Sequence, residues 1–361
     1  MFPNLCNLKL TRQTQNYPGA MNSGVNLKEL AAELKLSPST VSRALNDSYE
    51  ISVETKKKVI SMAEKMNYQP NPFARSLREN KSKTIAVLIP ERMSNFFAKV
   101  VDGIEEITQQ HGYHLLVYNT HEDVEKEKKI ISLLMNGRAD AIVMSVSSQT
   151  SDISHLVRLH ERGVPLIFFD RICDSIPTTK FITNDYESSY EGTKHLIQQG
   201  CRKIAFLMLS KELSITKERH RGYLDALKEV GLAPEPSLNI ICCQEEEKNI
   251  EKIRQVLLSP NRPDGILSSV EKLALATYHA IKRTDLRIPE DVKVVSYFSN
   301  LGIASLLNPS LTTITQPAFS IGEECAKLLI RKLTRPKQPD LLDQVIIVPS
   351  KITIRSSTVA N

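Results

Sequence analysis

The sequence predicts an all-α helix-turn-helix headpiece followed by an α/β core of two doubly wound parallel-sheet lobes. Three observations carry this expectation. Residues 26–46, NLKELAAELKLSPSTVSRALN, hold two short amphipathic runs around a tight turn. From Thr84 onward, unalternated apolar runs are separated by helical stretches, the mark of a parallel sheet covered on both faces. That series starts afresh at Lys203, so the sheet is expected twice.

In the headpiece, Asn26 can cap the first helix, with Glu29 completing a capping box. Leu27, Leu30, Ala31 and Leu34 form its apolar stripe. Ser37 is placed to cap the second helix, and Pro38 suits its first position because it has no N–H to leave unpaired. Ser39, Thr40, Ser42 and Arg43 then lie on one side, with Val41, Ala44 and Leu45 available for the other. A third helix follows Ser52, with Val59, Ile60, Ala63 and Met66 facing inward and Lys56 to Lys58 outward. These three helices make one unit over residues 25–69. A hinge over 70–83 follows, in which Pro70 and Pro72 break the third helix. Phe73 to Arg78 leaves room for a helical turn or two, too short to persist unaided in water, so it is expected to order only when held.

The first strand set reads at Ile85–Ile89, Leu115–Tyr118, Ala141–Met144 and Pro165–Phe169. A second set reads at Lys203–Met208, Leu238–Cys242, Gly265–Leu267 and Val292–Val295. The core is expected over 84–361, with lobe one at about 84–200 and 316–343 and lobe two at about 201–315 and 344–361. Ligands of such sheets bind outside the carboxyl ends of the strands, so two facing lobes would enclose a cleft.

Charge locates a partner. The net +6 of the chain comes entirely from its front: Lys9 and Arg12 face no acid in residues 1–20, and residues 21–83 carry eleven basic against seven acidic residues. The remainder balances at zero, as expected if the basic segment neutralises phosphates and releases counterions. A short helix with hydroxyls and a guanidinium on its front suits the major groove of double-stranded DNA, where base edges offer donors and acceptors. Hydrophobic content of 41% and charged content of 24% fit a soluble globular protein. Six cysteines without C-x-x-C spacing suggest reduced thiols and a cytoplasmic setting. No apolar run is long enough to span a membrane, and residues 1–24, which lack the apolar core of a signal peptide, are expected to be a disordered tail.

With these residues in hand, the chain resembles the lactose-repressor and galactose-repressor family of bacterial transcription regulators. The resemblance runs from about Val25 to Ser357 and is carried by SPSTVSRALN, NYQPNPFARSL, PSLTTITQPAFSIGEECAKLLI from Pro309, and VPSKITIRSS, which ends at Ser357. It implies lobes like those of a periplasmic binding protein. It also implies that Ser37 to Asn46 enter the major groove, with Pro38, Ser39 and Arg43 choosing bases and Thr40 and Ser42 on phosphates. Asn71, Ala74, Arg75 and Leu77 match the hinge helix, in which Leu77 would wedge into the minor groove and Ala74 would allow close approach. In the core it places a small effector, a sugar or sugar derivative, against Phe96, Asp170, Arg171, Asn184, Asp185, Arg219, Glu271 and Phe298. Phe96 would stack on a sugar face, and Arg171 would bind a hydroxyl pair or a carboxylate.

Two stretches depart from the family pattern. Val270-Glu271 stands where Asn-Asp is common, and Ser296-Tyr297-Phe298-Ser299 where Gly-Tyr-Asp-Asp is usual, so Phe298 cannot supply a carboxylate to sugar hydroxyls. An apolar wall facing Arg171 and Arg219 would suit an acidic sugar or a disaccharide. Lys35 stands where glycine is common in the turn, which is expected to lengthen the first helix slightly.

The expected function is therefore that of a homodimeric transcription regulator, a repressor on a near-palindromic operator, whose DNA affinity is set by an effector. The alternative is a sugar-binding receptor without regulatory DNA binding, against which the basic headpiece argues. Gly-x-Gly-x-x-Gly, P-loop, His-Glu-x-x-His and Gly-x-Ser-x-Gly motifs are all missing, so no enzyme, cofactor or metal site is expected. His111, His114, His155 and His160 are expected to be surface or core residues.

Overall fold

The computed structural model describes residues 25–69, 81–92, 94–148, 150–335 and 343–359. The expected tail over 1–24 and most of the expected hinge lie outside these residues. The chain divides into two compact units, 1–79 and 80–361.

In the first unit, α1 (Leu27–Glu33), α2 (Pro38–Leu45) and α3 (Val53–Lys65) pack through Leu30, Ala31, Val41, Ala44, Val59 and Ala63. Both expected start signals form: Asn26 and Glu29 make the capping box, and Ser37 Oγ accepts from Thr40 N at 3.1 Å. Lys35 does not lengthen α1. It takes a left-handed backbone conformation, φ 55°, and terminates the helix. Leu36 N bonds Ala31 O and Lys35 N bonds Ala32 O, the Schellman pattern that glycine usually serves. Asp47 and Asn67 end α2 and α3 the same way, so three non-glycine residues stop three helices. Ile60 also departs from expectation. It is 46% exposed, and Met62 packs against the core instead, because α3 turns only Val59 and Ala63 fully inward.

The second unit holds two six-stranded sheets. The first has the order β11-β5-β4-β3-β1-β2, with β1 (Thr84–Ile89), β2 (His114–Asn119), β3 (Ala141–Met144), β4 (Leu166–Phe169), β5 (Lys180–Ile182) and β11 (Val345–Ile347). The second has the order β12-β10-β9-β8-β6-β7, with β6 (Ile204–Met208), β7 (Asn239–Ile241), β8 (Gly265–Ser268), β9 (Lys293–Tyr297), β10 (Thr312–Thr315) and β12 (Lys351–Thr353). Every pairing is parallel except β10 with β12.

Double winding follows from the two-residue period of a strand. Ile85, Val87 and Ile89 of β1 join one core with α4 (Asn95–Gln110) and α12 (Ala318–Thr334); Ala86 and Leu88 join another with α5 (Val124–Leu134) and α6 (Ser154–Glu161). In the second lobe Ile204, Phe206 and Met208 face α7 (Asp185–Gln198) and α8 (Ser214–Glu229). Ala205 and Leu207 face α9 (Glu246–Leu257) and α10 (Glu271–Lys282). A short helix, α11 (Leu301–Leu306), follows β9.

The lobe boundaries differ from those expected. Leu196 and Ile197 of α7 belong to a lobe-two core, so the chain crosses near 183–184 rather than at 200. β11 belongs to the first sheet, paired with β5, so the last crossing falls between β11 and β12. The crossings are stitched together: Gln316 Nε2 donates to Thr183 Oγ1 at 3.3 Å, and Ser350 N to Asn184 Oδ1 at 2.7 Å.

Candidate functional site

Two places bring functional side chains together. The first is the front of α2. Ser37, Pro38, Ser39, Arg43 and Asn46 are exposed, while Thr40 and Ser42 are half-buried. Ser37 Oγ lies 2.7 Å from Ser39 Oγ and 2.8 Å from Thr40 Oγ1, so one hydroxyl organises the first turn. Asn46 is the C-cap residue and donates through Nδ2 to Ser42 O at 2.7 Å. Arg43 pairs with Glu50, in the loop before α3, at 2.8 Å. Both partners are well exposed, so the pair is weak and a stronger anion can displace the carboxylate. Asn71, Ala74, Arg75 and Leu77 lie outside the described residues.

The second place is the cleft between the lobes, a cavity of about 170 Å³. A single water needs roughly 10–15 Å³ by such a measure, so the space is that of a ligand rather than of a bridging water. Phe96 and Phe97, at the start of α4, form one wall with their rings edge to face at 5.3 Å. Asp170 and Arg171 enter from the end of β4. Asp170 holds a left-handed φ of 60°, a costly conformation for a residue with a side chain. Arg171 donates through Nη1 to Glu122 Oε1 at 2.6 Å, while its Nε has no hydrogen-bond partner.

From lobe two comes Arg219 on α8, only 2% exposed. Its Nε donates to Asp185 Oδ1 at 2.7 Å, its Nη1 to Ser269 O at 2.5 Å, and its Nη2 has no partner. The guanidinium stacks 3.7 Å from the centroid of the Tyr297 ring, a favourable cation–π contact in a desolvated place. Burial pushes the Asp185 carboxyl up to about 6 against the pull of Arg219. Burial likewise raises Asp170, opposed by Arg171 and Arg219. Glu271, at the start of α10, accepts from Asn95 Nδ2 at 2.5 Å and from Ser299 N at 3.0 Å. Two arginines, each with one guanidinium nitrogen that has no hydrogen-bond partner, therefore line one cleft together with carboxylates and aromatic rings. Such a site can exchange hydrogen bonds with a ring that carries hydroxyls.

Of the residues expected in the cleft, Phe96, Asp170, Arg171, Arg219 and Glu271 line it, and Asp185 stands behind Arg219. Two do not belong. Phe298 is 1% exposed and packs in a lobe-two core with Val294, four residues earlier on the same face. The same alternation brings Tyr297 and Ser299 to the cleft. Asn184 spends its side-chain oxygen on Ser350 N at the crossing rather than facing the cavity. Sequence reasoning missed Asn95, Phe97, Tyr297 and Gln316, all of which line the cavity. Phe97 and Tyr297 adjoin residues that were chosen, and only strand or helix phase separates them.

His155 is a core residue, with Nε2 2.9 Å from Glu127 Oε1, and the five described cysteines are unpaired. No helix among the described residues is long and apolar enough to cross a membrane.

Two family models match the segments that hold these places. A family model described as "Bacterial regulatory proteins, lacI family" matches residues 26–71. One described as "Periplasmic binding proteins and sugar binding domain of LacI family" matches residues 82–354. The HTH-type transcriptional regulator RegA of Clostridium saccharobutylicum is 29% identical over 92% of this chain and 99% of its own. The HTH-type transcriptional repressor PurR of Aliivibrio salmonicida is 30% identical over 85% of this chain and 92% of its own. Among solved structures, the lac repressor dimer bound to operator and an anti-inducer superposes with a TM-score of 0.81. It is 23% identical and covers 93% of this chain and 99% of its own, a likeness of fold.

Proposed function

The chain belongs to the LacI family of bacterial regulatory proteins, and we propose that it is a cytoplasmic, homodimeric repressor whose hold on a near-palindromic operator is set by a small carbohydrate in the cleft. Arg43 reads a guanine through two hydrogen bonds once an operator displaces Glu50, Pro38 and Ser39 meet neighbouring base edges, and Thr40 and Ser42 bind phosphates. A dimer follows from the weakness of one short recognition helix, since two linked heads raise the effective concentration of the second contact. In the cleft, Phe96 stacks on the sugar ring while the free nitrogens of Arg171 and Arg219 donate to its oxygens. The relatives are regulators rather than enzymes, and we take this chain to have no catalytic role.

The observation that carries the reading is the cleft cavity lined by two arginines that each keep a nitrogen without a hydrogen-bond partner, in a chain whose basic excess is confined to the headpiece end. The test is binding of the full chain to duplexes selected from a random pool, across a salt series, with and without sugars that raise its melting temperature. Affinity should fall linearly in log–log form with salt. A stabilising sugar should shift operator affinity, and the operator should shift sugar affinity by the same factor. No salt-sensitive attachment to any duplex would overturn the reading.

A further inference from the structure

Every cation that lines the cleft already has a carboxylate of its own. Arg171 pairs with Glu122 at 2.6 Å, Arg219 with Asp185 at 2.7 Å, and Lys272 with Glu91 at 3.5 Å. Two further carboxylates line the same space. Asp170 lies 3.9 Å from Arg171 Nε, and Glu271 has no ion pair among the described residues, its oxygens being held by an amide and a backbone N–H. Positive charge is thus paired within the protein, and Glu271 adds a carboxylate with no cationic partner among the described residues.

We infer that the effector is an uncharged polyol, and that Glu122, which neutralises Arg171 from behind, is the positioning residue that makes the cleft refuse an anionic one. The inference rests on the carbohydrate reading above and narrows its ligand class. It also revises the acidic sugar that two facing arginines alone would suggest.

Glu122 is built into place. It follows His121, and both residues hold left-handed backbone conformations, φ 56° and 60°, although neither is glycine. Consecutive strained residues persist only where the surroundings over-determine them. Here Asn119 Oδ1 accepts from His121 N at 2.9 Å, Ser148 N donates to Glu122 Oε2 at 2.8 Å, and Thr120 Oγ1 meets Ser147 Oγ at 2.8 Å. Burial works against the charge of Glu122, but Arg171 and the Ser148 N–H outweigh it and hold the carboxyl below its ordinary range. It is ionised at neutral pH, so Arg171 lines the cleft as half of a neutral pair, its Nε still without a hydrogen-bond partner. A ligand carboxylate would have to displace Glu122 while sitting beside Asp170 and Glu271, whereas sugar hydroxyls can donate to those same oxygens.

The experiment measures binding of matched pairs, glucose with glucuronate, galactose with galacturonate and mannose with mannuronate, to the full chain by calorimetry. Wild type should bind the neutral member of any recognised pair at least tenfold more tightly. Glu122→Gln keeps the shape and an acceptor for Ser148 N–H, and it should narrow or invert that ratio by tenfold or more. Glu122→Gln/Arg171→Gln should abolish the gain toward the uronate, a change in selectivity that mere loosening of the loop would not produce. A wild type that binds a uronate as well as its neutral partner, or a Glu122→Gln ratio equal to wild type, overturns the inference while leaving the carbohydrate reading standing. Failure of every member of every pair to bind overturns the carbohydrate reading, and the inference falls with it.

Discussion

Asn95 and Glu271 join the two lobes directly: the amide at the start of α4 donates to the carboxylate at the start of α10 at 2.5 Å. Lys99 Nζ donates to Ser299 O at 2.7 Å beside them, and Ser299 N donates to the same Glu271. The cleft is thus closed by a small polar clasp centred on one carboxylate. Hydrogen bonds to charged groups contribute about 1.5–3 kcal/mol each. Glu271→Ala should therefore loosen the closed arrangement and lower core stability by about 1–3 kcal/mol. Calorimetry checks the stability, and small-angle scattering without effector should show an enlarged radius; an unchanged radius would remove the clasp role.

Gly222 sets the distance between α7 and α8. A Cβ there would collide with the Tyr186 carbonyl oxygen and crowd Tyr190 N, both backbone atoms that cannot step aside. Gly222→Ala should push α8 away, costing about 1–3 kcal/mol, as overpacking does. Arg219 lies three residues earlier on the same helix, so sugar affinity should fall together with melting temperature. Affinity at the wild-type level in a folded Gly222→Ala variant would contradict this placement of Arg219.

Asp185 supplies a pH dependence with a definite sign. Its carboxyl is raised from 3.8 to about 6 in the fold, by burial and against Arg219. The folded chain then holds this proton more tightly than the unfolded one, so the group's contribution is full below about pH 4 and fades as pH rises toward 6. Glu122 is held low and acts in the opposite sense, its contribution being lost in acid. Asp185→Asn removes the first slope alone. The melting temperature of the variant minus that of wild type should climb between about pH 4 and 6, and a flat difference would count against the shift.

Arg43→Ala should relax sequence preference, with about 1–3 kcal/mol of discrimination lost at one base position. Glu50→Ala, which frees Arg43 from its 2.8 Å partner, should instead tighten binding to all duplexes. Anisotropy titrations against selected and scrambled duplexes separate the two; equal loss on both duplexes in Arg43→Ala would rule out base reading.

Lys35 carries a left-handed backbone strain that glycine would not, roughly 1–2 kcal/mol for an ordinary residue. Lys35→Gly should raise headpiece stability by up to about 1 kcal/mol after glycine's larger unfolded-state entropy is subtracted. Lys35→Val, β-branched, should lower it. Thermal melts of the two variants should move in opposite directions.

Elements with strong local signals were legible. Asn26, Ser37 and Ser52 announce three helix starts through caps that involve only residues three positions away. Long apolar runs marked eight strands. The strands that were missed, β5, β10, β11 and β12, are three or four residues long, and two of them sit at sheet edges. The two edge strands form because the chain crosses between lobes and finds a partner far away in sequence, as β11 finds β5 and β12 finds β10. No local pattern records that.

By itself, the sequence determined the order of headpiece and core and the parallel double winding, because caps and apolar periodicity act over a few residues; Phe96, Asp170, Arg171, Arg219 and Glu271 of the cleft were reached through the family resemblance. Only the tertiary structure decided that Tyr297 rather than Phe298 faces the cavity, that Asn184 braces a crossing, and that Arg171 is already neutralised by Glu122. Those outcomes depend on strand phase and on charges from separate loops meeting in a space of low dielectric, where the fold alone sets distance and direction.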